Sequence, residues 1–129
     1  MPATILLVDD NSEMLETMAH MLHNMGAQVH TANNAAVARH ILATNPTINL
    51  VVCDWNMPEQ SGIDLLTALR NEGKEVPFIM VTARSDTDSV LEASSKGVDL
   101  YICKPFSSEE LHRKIGWVIK GSRRTPHFN

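Results

Sequence analysis

Five side chains in this sequence could act together on a phosphoryl group: Asp9 and Asp10 in "TILLVDD", Asp54 in "NLVVCDWNMPEQSG", Thr82 in "VTAR", and Lys104 in "YICKPF". Each has an ordinary explanation when taken alone. Paired aspartates before a helix serve as turn and cap, threonine suits strands, and a lysine at a strand end is normally solvated. Brought together, they make a different object. Three carboxylates within a few ångströms repel by about 4 kcal/mol per close pair at a near-surface effective dielectric. Lys104 offsets one unit of that charge, and a hard divalent cation would offset the rest. Mg²⁺ favours such a site, with a few carboxylates and waters. Asp54 could then attack phosphorus while the cation and Lys104 neutralise the incoming oxygens and the Thr82 hydroxyl donates to one of them. An aspartyl phosphate is a known type of covalent intermediate.

The elements that must bring these residues together can be read from the pattern of apolar positions. Short runs at Ile5–Val8, Gln28–Thr31, Leu50–Cys53, Phe78–Val81 and Leu100–Cys103 alternate with segments of helical period. Four of the five runs are continuously apolar, which suits parallel strands covered on both faces. The first helix carries Met14, Leu15, Met18, Met21, Leu22 and Met25, with Ser12 as its expected N-cap and Gly26 as its stop. The second ends before Pro46, the third breaks at Gly73, the fourth spans about Asp86–Lys96, and the fifth carries Leu111, Ile115, Val118 and Ile119. Five alternating strands and helices predict a doubly wound α/β domain. In a parallel sheet all carboxyl ends share one edge, so the polar residues ending the first, third, fourth and fifth runs converge on one crevice.

Composition excludes other classes. The 129 residues fit one domain, and a net charge of −4 is too mild for a nucleic-acid surface. No apolar run approaches the ~20 residues of a membrane span, and Met1-Pro2-Ala3 begins no signal peptide, so a cytoplasmic location is expected. Cys53 and Cys103 read as small buried hydrophobes. The histidines read as surface residues; His20 and His23 share a helix face with no partner to complete a zinc set. The segment 122–129 reads as a fraying tail after a domain of residues 1–121.

The combination "LLVDDN", "DWNMPEQSG", "VTAR" and "YICKPF", in that order and spacing, resembles the receiver domains of two-component response regulators. It is especially similar to the stand-alone regulators of chemotaxis, and the likeness covers about residues 4 to 120. The resemblance implies a flavodoxin-like (βα)5 sheet in the order 2-1-3-4-5, with Asp54 as phosphoacceptor. Asp10 would bind Mg²⁺ directly and Asp9 mainly through water, with Asp54 and the backbone carbonyl of Asn56 completing the protein ligands. Thr82 and Lys104 would hold the phosphoryl group, and Lys104-Pro105 would be a cis peptide. Tyr101 matches an aromatic position that turns inward on activation. Arg84 matches a variable position that, with Asn56, tunes dephosphorylation.

As partners, the resemblance implies a sensor histidine kinase or histidine phosphotransfer protein, and a downstream target or output domain. A homodimer through the fourth helix, fifth strand and fifth helix is a further expectation, with no membrane and no direct nucleic-acid contact. Catalysis is expected to be limited to the domain's own phosphorylation and dephosphorylation. Two rivals fit less well. A flavodoxin-like electron carrier would place a Ser/Thr/Gly-rich phosphate loop where this chain has two aspartates. A haloacid-dehalogenase-type phosphatase needs an acid two residues after its nucleophile, where this chain has Asn56.

Overall fold

The computed structural model describes residues 3–120. Strands and helices alternate throughout: β1 Thr4–Val8, α1 Ser12–Asn24, β2 Gln28–Ala32, α2 Ala35–Thr44, β3 Leu50–Asp54, α3 Gly62–Asn71, β4 Phe78–Thr82, α4 Thr87–Ser95, β5 Leu100–Cys103 and α5 Ser108–Ile119. All neighbouring strands pair parallel, in the order β2-β1-β3-β4-β5.

The continuous apolar runs have a direct cause. Successive strand residues point to opposite faces, and both faces are covered. Leu6, Val8, Val51, Cys53, Phe78 and Met80 pack with α2, α3 and α4 residues such as Ala38, Leu66 and Ala93. Ile5, Leu7, Leu50, Val52, Ile79 and Val81 pack with Met18 and Leu22 of α1 and with Leu111, Ile115 and Val118 of α5. Burying each such side chain contributes about 1.5–3 kcal/mol. The border strand β2 is less buried, which is why its run is the one that is not continuously apolar.

The helix ends follow their capping chemistry. The expected N-cap Ser12 is corrected to Asn11, whose side chain accepts from the Met14 amide. Asn11 is held one residue earlier because its own N–H donates to Asp9 Oδ1 at 2.9 Å. At the other end of α1, Gly26 has φ 87°, and the Gly26 and Ala27 amides close onto His23 and Leu22 carbonyls, a turn for which glycine is the least strained residue. Ser61 and Asp64 form a reciprocal capping box that starts α3. Both cysteines are free thiols; Cys53 is buried, but Cys103 is only partly so, which corrects the expectation that both are buried. His20, His23, His40 and His112 are exposed as expected, and His30 is half-buried. No helix among the described residues is long and apolar enough to cross a membrane. The expected tail, with Arg123, Arg124 and His127, lies outside the described residues.

Candidate functional site

The carboxyl ends of the strands deliver the predicted residues to one place. Asp9 follows β1, Asp54 closes β3, Thr82 closes β4 and Lys104 follows β5. Strand order puts β1 and β3 side by side, where connections leave in opposite directions and a crevice opens. One carboxylate oxygen from each of Asp9, Asp10 and Asp54 lies within 4.8 Å of the others. Lys104 Nζ reaches this cluster from the side, 3.4 Å from Asp54 Oδ2 and 3.6 Å from Asp9 Oδ2. Its backbone is fixed by the Lys104 amide donating to the Thr82 carbonyl at 2.8 Å.

Burial grades the three acids. Asp9 is buried, Asp54 half-buried and Asp10 exposed. Loss of water around Asp9 raises its pKa, and the neighbouring charges of Asp54 and Asp10 add to the rise; the Asn11 N–H and Lys104 pull the other way. Burial is the largest cause of the rise, and the two neighbouring carboxylates add to it. Hard oxygen donors, clustered and incompletely neutralised by one lysine, fit a Mg²⁺ ion.

A second group lies beside this cluster. Arg84 Nη2 donates to Asn56 Oδ1 at 2.9 Å, and its guanidinium stands 4.7 Å from the centre of the Trp55 ring. Thr82 is fully buried, and its Oγ1 accepts from the Arg84 amide at 3.2 Å. The Tyr101 hydroxyl donates to the Arg84 carbonyl at 2.6 Å, and its ring meets Trp55 edge-on at 6.4 Å. Burial pushes the Tyr101 phenol up to about 12.

Every predicted site residue therefore stands at this edge, but in two groups. Asp9, Asp10, Asp54 and Lys104 form the acidic pocket, while Asn56, Thr82, Arg84 and Tyr101 form a linked layer beside it. Tyr101 is already inward, where the sequence suggested an exposed ring at rest; Trp55 and the Arg84 carbonyl supply the partners that hold it there. Lys104-Pro105 is cis. Sequence reasoning left Trp55 without a role, because its contact with Arg84 joins loops 29 positions apart and no local pattern announces it.

A parallel 2-1-3-4-5 sheet covered by helices on both faces defines the flavodoxin-like class of α/β domain, and here an acidic pocket sits at its switch point. Within that class, the family model described as the response regulator receiver domain matches residues 5–116, and the chain belongs to that family. The chemotaxis protein CheY of Pseudomonas aeruginosa is 38% identical over 114 residues, covering 86% of this chain and 91% of that protein. Chemotaxis protein CheY1 of Helicobacter pylori (strain 26695) is 35% identical over 118 residues, covering 89% and 95%. Among solved structures, the receiver domain of Francisella response regulator 1452 superposes with a TM-score of 0.87 at 28% identity, covering 94% of this chain and 99% of that one. The chain is thus a CheY-like receiver domain of two-component signalling.

Proposed function

We propose that this domain accepts a phosphoryl group on Asp54 from a phosphohistidine donor, in a reaction that requires Mg²⁺. The observation that carries the reading is the cluster of three carboxylates faced by one lysine. Asp9, Asp10, Asp54 and the backbone carbonyl of Asn56 would hold the ion, which supplies positive charge opposite the phosphoryl oxygens. An Asp54 carboxylate oxygen attacks phosphorus, the P–N bond to the donor breaks, and the imidazole leaves with the bonding pair. Lys104 is already 3.4 Å from Asp54, close enough for its ammonium to follow charge onto the new phosphoryl group. Thr82 Oγ1 accepts the Arg84 amide, which leaves its O–H to donate to a phosphoryl oxygen once the side chain turns toward the pocket.

That turn of Thr82 suggests the output. Arg84 links Thr82 to Tyr101 through one residue's amide and carbonyl, so movement at Thr82 acts on the bond that holds the ring inward. The inward ring is one member of a two-state pair whose populations the phosphoryl group shifts. The face that reads the shift is α4, β5 and α5, where Leu91 presents an apolar side chain 61% exposed. A target protein or a second copy of the domain would bind there. Arg84 and Asn56, hydrogen-bonded beside the pocket, set the water access that governs dephosphorylation. The domain extends over residues 1–121 and works in the cytoplasm.

The test is labelling by a phosphohistidine donor. Wild type should be labelled in Mg²⁺ and unlabelled in excess chelator, and Asp54→Asn should take no label. Undiminished labelling of the variant would sink the assignment.

A further inference from the structure

We infer that Gly62 is a positioning residue for the phosphoacceptor, required for space and not for backbone freedom. The inference rests on the reading of Asp54 above. Gly62 opens α3 and does not have a positive φ, so alanine could adopt its conformation. What alanine lacks is room. A Cβ at Gly62 would stand 2.2 Å from the carbonyl oxygen of Asp54 and 3.0 Å from its carbonyl carbon. Met80 Sδ would also be 3.0 Å away, but a thioether on a flexible chain can turn aside. The Asp54 peptide is backbone at the end of a central strand, paired through Asp54 with Val81, and cannot turn aside alone. Cys53 Sγ donates to the same oxygen at 3.1 Å, so the carbonyl is already engaged.

Gly62 also holds the next peptide. Its N–H donates to the Trp55 carbonyl at 2.7 Å. The first turn of α3 is therefore docked on two consecutive peptides, and these lead straight into Asn56. Restoring ordinary contact around a Cβ would shift this backbone by about an ångström, and a misplacement of that size costs about 100-fold in a positioned reaction. Both the Asp54 carboxylate and the Asn56 carbonyl would move with it.

The experiment compares Gly62→Ala with Gly116→Ala, since a Cβ at Gly116 in α5 meets nothing within 4 Å. Acetyl phosphate is the donor, and Mg²⁺ affinity is read separately by isothermal titration calorimetry. Gly116→Ala should match wild type in both. Gly62→Ala should remain folded by circular dichroism, lose about 100-fold in phosphorylation kcat with little change in the KM for acetyl phosphate, and bind Mg²⁺ at least tenfold more weakly. Wild-type values in Gly62→Ala would overturn the inference. If Gly62→Ala does not fold, it is remade with Glu59→Gly, which relieves a strained turn. Failure to fold there too would also overturn the inference, because the contact would then hold the fold and not the site. If wild type itself takes no phosphate, the phosphoacceptor reading fails and not the Gly62 inference alone.

Discussion

Glu59, in the turn between Asp54 and α3, has φ 69°, and no other non-glycine residue among those described has a positive φ. Holding a side-chain-bearing residue there costs about 1–2 kcal/mol, while glycine would cost about 0.5–1 kcal/mol in unfolded-state entropy. Glu59→Gly should therefore stabilise the protein by up to about 1 kcal/mol, read as a higher urea midpoint with unchanged slope. Tyr101 offers a second test at this scale, because it is the only tyrosine in the chain. Its raised phenol pKa means that the folded state prefers the neutral ring. That preference stabilises the fold fully below an ordinary phenol pKa of about 10 and is lost as the pH climbs to about 12. The near-ultraviolet absorbance of tyrosinate should rise near pH 12. A rise centred near 10 would mean the ring is outside. The sequence made the strand-end residues legible because a parallel sheet gathers them whatever their neighbours do. The position of the Tyr101 ring was not legible, since it depends on a carbonyl 17 residues away.

The elements are held in register by a clamp at the edge opposite the pocket. Asp99, 2% exposed, accepts from the Phe78 amide at 2.8 Å and pairs with Arg70 at 3.2 Å. Arg70 also donates to the carbonyls of Lys74, Val76 and Gly97. One side chain thus ties the end of α3 to the starts of β4 and β5. Asp99→Ala would remove the acceptor of the Phe78 N–H and one ion-pair partner of Arg70, at a cost of about 3–5 kcal/mol in a urea unfolding experiment. No local pattern in the sequence pairs Arg70 with Asp99, which stand 29 positions apart. Helix spans were legible to within a residue or two because stops such as Gly26 and Pro46 act locally. Ser12 and Asn11 are both good caps, and only the Asp9–Asn11 bond decides between them. The switch belongs to this scale as well. Thr82→Ala should still accept phosphate on Asp54, more slowly. With beryllofluoride and Mg²⁺, its amide shifts should stay near the pocket, while those of wild type spread through α4, β5 and Tyr101. Equal spread in both proteins would show that Thr82 does not relay the signal.

For the whole molecule, the account depends on an imbalance of charge at one edge of an otherwise apolar sheet. Two hydrophobic layers fix five strands, the strand order opens a crevice between β1 and β3, and three carboxylates meet there with one lysine. Everything proposed for the domain follows from which of those carboxylates takes the phosphoryl group. Borohydride reduction decides this directly, since it converts an aspartyl phosphate to homoserine and leaves free aspartate unchanged. After incubation with acetyl phosphate and Mg²⁺, reduction and peptide mass spectrometry should find homoserine at position 54 and aspartate at positions 9 and 10. Homoserine at 9 or 10, or none anywhere after confirmed labelling, would contradict the account.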